Sequence, residues 1–253
     1  MPGSALRWSA RTLVPNDAMS WAAISELLLS TQTAALPQPL AMRGALHLGW
    51  ALVLGWGVML LTQRWRAPLR RPLVALAVLW TLVPGAVSPA YWLGLAFQTP
   101  SLMTMLVCGA GLWRGLSGSA VARQVPDTEV KLALDLWSGI GIALGWLLLL
   151  DTLALLPWSF HAFGFGSIAT FIVAILIALT WATVLFDAKS QNWKAATLPG
   201  AALALFVLTR LPSGNLWDAL IDPGLWLVLQ GIWLIRGLRW LRGRRRVAAT
   251  TRA

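Results

Sequence analysis

The sequence alternates long apolar runs with short polar or basic segments. The run 132–157 has 26 residues and would form a helix of about 39 Å at 1.5 Å per residue. The hydrocarbon core of a bilayer is about 30 Å thick, so such a helix can cross it with some tilt. The pattern predicts an all-α fold, a polytopic helical membrane bundle.

About seven transmembrane helices are predicted. They cover about 45–63, 72–87, 89–113, 132–157, 168–186, 195–211 and 222–241. The third contains a polar interruption, Gln98-Thr99-Pro100, and is interpreted as one kinked span. The alternative is a re-entrant piece (90–97) followed by a short helix (101–113), because proline and polar residues favour a break.

Three regions follow from this pattern. Residues 1–41 form an N-terminal segment, in which a short amphipathic helix beginning near Asp17 is expected to lie along the interface. Residues 42–241 form the seven-span membrane domain, and 242–253 form a basic cytoplasmic tail.

The fourth span presents small and acidic residues in several directions. Ser138, Gly141 and Gly145 share one face, and small residues let a neighbouring helix approach closely. Asp135 and Asp151 point elsewhere, and acids in a span should face protein or water. We therefore expect this helix to be the hub of the bundle. Asp135, near its cytoplasmic end, is interpreted as an interfacial charge with a local partner.

Composition and charge predict a membrane location and the side on which each terminus lies. The chain is 58% hydrophobic and 11% charged, which excludes an ordinary soluble domain. Sixteen Lys and Arg residues fall on the predicted inner side and four outside, so the N-terminus is placed outside and the C-terminus inside. The net charge of +11 is therefore attributed to anionic phospholipid and not to nucleic acid. Richness in Ala, Leu, Trp and Arg indicates a bacterial cytoplasmic (inner) membrane. The arginines expected at lipid headgroups are Arg64, Arg66, Arg70, Arg71, Arg242, Arg244, Arg245 and Arg246.

With this orientation, six polar residues fall near the outer face and form the predicted outer polar cluster. They are His47, Asp151, His161, Arg210, Asp218 and Asp222. Asp151 and Arg210 have similar depths, and a charge in low dielectric is costly alone, so a bridge between the fourth and sixth spans is expected. Asp222, directly before Pro223, is predicted to cap the last helix.

The sequence gives no clear sign of a cofactor. His47 and His161 could together hold a haem or a metal ion, but no third ligand lies at a recognisable spacing, so no cofactor or metal is expected. GLSG (115–118) followed by HAFGFG (161–166) resembles the serine and histidine motifs of rhomboid intramembrane proteases. The predicted orientation puts Ser117 inside and His161 outside, so the two are expected not to meet as nucleophile and base.

Three functions are compatible with these residues. The preferred hypothesis is a non-catalytic subunit or assembly factor of an envelope system, working with another membrane protein, because the loops are short and intramembrane polarity is low. The second is a transporter or channel for a small solute or ion, favoured by Asp151, Arg210, Gln98, Gln230 and the proline breaks. The third is an enzyme acting at the outer leaflet with Asp151, His161 and Asp218 as acid and base.

Overall fold

The structure is a computed structural model that describes residues 36–117, 128–186 and 192–250. Within this part of the chain the regular elements are helices, and strands are absent. They are α1 (Pro39–Leu61), α2 (Ala67–Leu82), α3 (Pro89–Phe97), α4 (Leu102–Ser117), α5 (Thr128–Thr152), α6 (Phe160–Phe163), α7 (Ser167–Phe186), a 3₁₀ helix (Asn192–Ala196), α8 (Thr197–Thr209), α9 (Leu216–Leu220) and α10 (Pro223–Thr250). The all-α prediction is confirmed. The predicted interfacial helix near Asp17 lies outside the described residues.

Two described helices are long and apolar enough to cross a membrane, Pro39–Leu61 and Leu134–Thr152. Three shorter apolar helices have 10–17 residues, namely Leu102–Ser117, Ser167–Thr183 and Lys194–Thr209. Length and composition therefore fit a membrane protein, and the number of spans remains a prediction.

The predicted third span is two helices, so the preferred kinked helix is wrong and the alternative division is the observed one. α3 ends at Gln98, whose φ of 63° lies in the left-handed region that non-glycine residues seldom adopt. Pro100 follows, and its preceding residue is disfavoured in helical conformation. Trp50 Nε1 donates to the Gln98 carbonyl at 2.9 Å, which satisfies one acceptor exposed by the break.

Most helix starts follow from local sequence. Proline stands in the first turn of α1, α2 and α3, where the missing N–H costs no intrahelical bond. Ser88 and Asn215 cap α3 and α9 by accepting hydrogen bonds from Ala90 N–H and Trp217 N–H. The last helix continues to Thr250, beyond the predicted end near Leu241, because no proline interrupts its basic residues.

The main core surrounds α8 and the short helix α9. Phe206, Leu216 and Ala219 are fully buried there, and side chains from α1, α4 and α7 pack around them. Trp217 stacks on Phe160 with ring centroids 5.1 Å apart. A smaller cluster of Met59, Val74 and Leu112 joins the other ends of α1, α2 and α4.

The prediction that the fourth span is the hub is wrong. None of residues 134–152 in α5 is buried, and the helix contacts the 3₁₀ helix, α10 and α6. The core instead forms around α9, a five-residue helix too short to be recognised as a central element from hydropathy.

Candidate functional site

Apart from Arg210, the residues of the predicted outer polar cluster lie in four hydrogen-bond networks, two of which are joined through Ser213. The first joins the end of α5 to α6. The Asp151 carboxylate accepts a hydrogen bond from the His161 backbone N–H at 2.6 Å and from the Ser159 hydroxyl at 3.4 Å. His161 thus meets Asp151 through its backbone and not through its imidazole. This geometry fastens a loop and offers no acid–base pair.

Asn215 extends the same network to α9. Its amide donates to the His161 carbonyl at 2.9 Å, and its carbonyl oxygen accepts from Trp217 N–H at 2.9 Å. Gly164 is needed here, because a Cβ on it would overlap the Asn215 side chain. Asn215 is fully buried, and sequence reasoning did not single it out. The sequence signal for this role is a polar residue directly before a short apolar stretch.

The predicted bridge between Asp151 and Arg210 is wrong. Arg210 ends α8 with a left-handed φ of 57°, and its guanidinium lies 5.3 Å from the centroid of the Phe206 ring. Asp151 is bonded to the α6 loop, as described above, and no ion pair joins the two side chains. The cation–π contact gives Arg210 a local partner.

His47 belongs to a second network, between α1 and α2. Its Nδ1 lies 2.9 Å from the Thr81 carbonyl oxygen, which also accepts from the Ser88 hydroxyl at 2.7 Å. Thr81 and Ser88 are fully buried. His47 therefore helps to join α1 to the turn after α2, away from the His161 network.

Asp218 forms a third network at the edge of an outer cavity. Its carboxylate accepts from the Ser213 hydroxyl at 2.5 Å. Ser213 in turn accepts from the Asn215 N–H at 3.2 Å, which joins this network to the first. The cavity has a volume of about 370 Å³, and its polar lining includes Arg43, Gln98, Thr99, Ser213 and Asp218. It therefore offers a carboxylate, a guanidinium and hydroxyl and amide groups to a small polar molecule.

Asp222 forms the fourth network and joins two helix N-termini. One carboxylate oxygen accepts from Leu225 N–H at 2.8 Å, in the first turn of α10, so the predicted cap is confirmed. The other accepts from Ser101 N–H at 2.9 Å and from the Thr104 hydroxyl at 2.5 Å, at the start of α4. One side chain thus caps both helices, and both N-terminal dipoles favour its negative charge. We call this arrangement the Asp222 joint.

A second cavity, of about 250 Å³, lies beside the Asp222 joint. α1, α3, α4 and α10 enclose it. Its lining residues are mostly aromatic or aliphatic, and Thr104 and Asp222 are the polar side chains among them. Pro100 lies in this wall, while Gln98 and Thr99 line the outer cavity. The break between α3 and α4 therefore separates the two cavities.

The small face of α5 lies against α10. Ser138 accepts a hydrogen bond from Trp233 Nε1 at 2.9 Å, a Cβ on Gly141 would meet Leu229 at 3.1 Å, and a Cβ on Gly145 would overlap the Trp226 ring. α10 is thus the helix that packs closely against these residues, as their small size predicted.

Asp135 also has its partner on α10. It forms an ion pair with Arg236, and both side chains are partly exposed. The pair stands at the edge of an otherwise apolar cavity of about 290 Å³ between α5 and α10. The partner observed for Asp135 is therefore a residue of another helix.

The expected headgroup arginines are exposed where their side chains are described, except for Arg70. Arg64, Arg66, Arg71 and Arg242 face outward, while the Arg70 Nε atom is buried. The side chains of Arg244, Arg245 and Arg246 lie outside the described part of the structure.

The rhomboid-like residues do not form a dyad. The Ser117 hydroxyl donates to the Trp113 carbonyl within its own helix, and the His161 ring packs edge-on against Phe165 at 6.0 Å. No hydrogen bond joins Ser117 to His161. In the described residues, no group of three His, Cys, Asp or Glu side chains could hold a metal ion.

Comparisons with protein-family models, curated proteins and solved structures find no match for this chain. Its function must therefore be argued from its own residues. Of the sites described, the Asp222 joint with its two cavities is the candidate functional site.

Proposed function

We propose that this chain is a multi-pass protein of the bacterial cytoplasmic membrane that binds a small solute within the bilayer and transports it. The proposal depends on the seven-span arrangement with the N-terminus outside, for which the arginine distribution is the support. Transport is preferred here to the non-catalytic subunit that the sequence favoured, because the Asp222 joint and its two cavities form a specific site.

Helix lengths support a position of the Asp222 joint inside the hydrocarbon layer, if the chain has this arrangement. From Asp222 to Arg236 on α10 the helix rises about 21 Å, and from Ser101 to Arg114 on α4 it rises about 20 Å. Both arginines are expected at the inner boundary of a core about 30 Å thick. The two helices give the same depth for Asp222, about 10 Å below the outer boundary, and tilt would only deepen it.

The meeting of two interrupted helices at one carboxylate is the observation that carries the proposal. Non-helical backbone within a bilayer is tolerated where protein buries it or where it lines a cavity. Transporters place substrates at such breaks, between the ends of half-helices. Here the break before Ser101 and the break before Pro223 meet at Asp222, with one cavity on each side of Gln98–Pro100.

A flux assay tests the proposal. The purified chain is reconstituted in liposomes and supplied in turn with radiolabelled choline, alanine, lactate and phosphate, which represent cationic, zwitterionic and anionic solutes. Uptake of one of them that requires the protein and falls at least about tenfold in Asp222→Ala would support transport, because the charge and both caps are lost. Equal uptake by protein-free liposomes for all four would overturn it.

The non-catalytic subunit remains the second candidate, supported by the exposure of α5. This helix exposes Leu136, Trp146 and Leu147, although its small face is covered by α10. A photo-crosslinker at Leu136 or Leu147 should capture one discrete membrane protein in native membranes if α5 binds a partner. Crosslinks to lipid alone would remove the support for this candidate.

A further inference from the structure

We propose that the cavity beside the Asp222 joint binds a monovalent organic cation, a protonated amine or a quaternary ammonium group. Binding of the cation can be tested by itself, and only its transport rests on the proposed function. The inference names the class of solute that this cavity binds.

The charges around the cavity select for a cation. Asp222 supplies a carboxylate, and no Lys, Arg or His side chain is among the residues that line the cavity. Its three hydrogen bonds come from two backbone N–H groups and one hydroxyl. The two helix N-termini that meet at Asp222 each carry a partial positive charge of about half an elementary charge, and an N–H group of each is already bonded to the carboxylate. An anion would meet the carboxylate and no cationic side chain among the residues that line the cavity.

The aromatic side chains favour an organic cation over an inorganic one. Trp50, Trp56 and Phe97 line the cavity, and aromatic faces attract ammonium groups, most strongly when water is excluded. Trp50 is held in place by its hydrogen bond to Gln98 and lies 6.2 Å from Phe97, ring centroid to ring centroid. A small inorganic ion needs several oxygen ligands, and the side chains here supply Asp222 and Thr104.

Paired ligands of the same shape test the charge requirement. Binding of choline and of its neutral isostere 3,3-dimethylbutan-1-ol to the purified full chain is measured by isothermal titration calorimetry in nanodiscs. We expect choline to bind at least about tenfold more tightly than the alcohol, because the isostere lacks both the ionic and the cation–π attraction. Equal binding of the two ligands, or full displacement of choline by an equal concentration of sodium, would overturn the proposal.

Two variants locate the binding. Asp222→Asn removes the charge and keeps the hydrogen bonds of one helix start, because its carbonyl oxygen still accepts while its amide nitrogen does not, and choline affinity should fall at least about tenfold. Phe97→Leu changes an exposed ring with little effect on folding, and should weaken choline by about two- to fivefold but not the alcohol. Asp151→Asn is the control, since that carboxylate holds the α6 loop, and choline binding should not change. Unchanged choline binding in both Asp222→Asn and Phe97→Leu would overturn the assignment.

Failure of this inference can be told apart from failure of the proposed function. Choline binding without flux of any solute would end the transport proposal and leave the cation site standing. Flux of alanine, lactate or phosphate that requires the protein, with no choline binding, would keep transport and overturn the cation site.

Discussion

Two regions of this molecule are built in different ways. The α8–α9 core, meaning the buried residues of α8 and α9 with the side chains packed on them, includes the fully buried Asn215 with its polar atoms bonded. The α5–α10 pair has no buried residue among its described side chains at 134–152 and 223–242. It is joined by small-residue contacts, two tryptophan N–H bonds and a partly exposed ion pair.

The difference shows how each region is stabilised. Burial and satisfied hydrogen bonds stabilise the α8–α9 core, so removing one polar partner leaves others buried without a hydrogen bond. Close contacts at small residues stabilise the α5–α10 pair, because none of its described side chains at 134–152 and 223–242 is buried. We expect substitutions in the α8–α9 core to lower the free energy of unfolding more than substitutions in the α5–α10 pair. Substitutions of the surface charges of the pair should lower it least.

The largest effect is expected for Asn215→Leu. The His161 carbonyl and the Trp217 N–H would lose their partners in the interior, which should lower the free energy of unfolding by about 2–4 kcal/mol. Asn215→Asp keeps the acceptor for Trp217 but sets a buried carboxylate oxygen against the His161 carbonyl, so it should not cost less. Unfolding by SDS titration in mixed micelles measures both. Equal stability of Asn215→Leu and the parent chain would show that this network does not hold the core.

A smaller effect is expected for Gly145→Ala. Its new Cβ would overlap the Trp226 ring, and overpacking of this kind costs about 1–3 kcal/mol. Gly139→Ala is the matched control, because its Cβ would lie 3.7 Å from Trp233, an ordinary contact. Both gain the same helix propensity. The two midpoints in the same SDS titration should therefore differ. Identical midpoints for the two glycine variants would contradict close packing at this face.

The smallest effect is expected for Asp135→Asn. Its ion pair with Arg236 is partly exposed, so the loss should be below about 1 kcal/mol and should shrink further at about 1 M salt, where charges are screened. Arg236→Lys keeps the charge and should cost less still. A loss comparable with that of Asn215→Leu, measured by the same unfolding titration at both salt concentrations, would show that this pair is buried from solvent.

Some features of the site could be predicted from local sequence. Asp222 before Pro223 indicates a helix cap because a short acid accepts from the first-turn N–H groups. Ser138, Gly141 and Gly145 indicate a close helix contact because their spacing puts them on one face. The cap could be predicted because its partner N–H groups lie within one turn. The helix contact could be predicted because small residues on one face allow a close approach.

Other features depended on contacts between distant segments. The second role of Asp222, capping α4, joins residues more than one hundred positions apart, and nothing in the sequence near Ser101 names the partner. The same limit explains the error over Arg210. Similar depth suggested Asp151 as its partner, whereas the left-handed end of α8 directs its side chain toward Phe206.

The sequence by itself determined the helical class, the apolar segments and the Asp222 cap, because hydropathy and hydrogen bonding to the nearest backbone are properties of short stretches. Tertiary structure decided which helix is central, which acid has which partner, and that two helix starts share Asp222. Those outcomes depend on the relative placement of helices, and an apolar sequence allows many placements because its residues pack with similar energies in lipid.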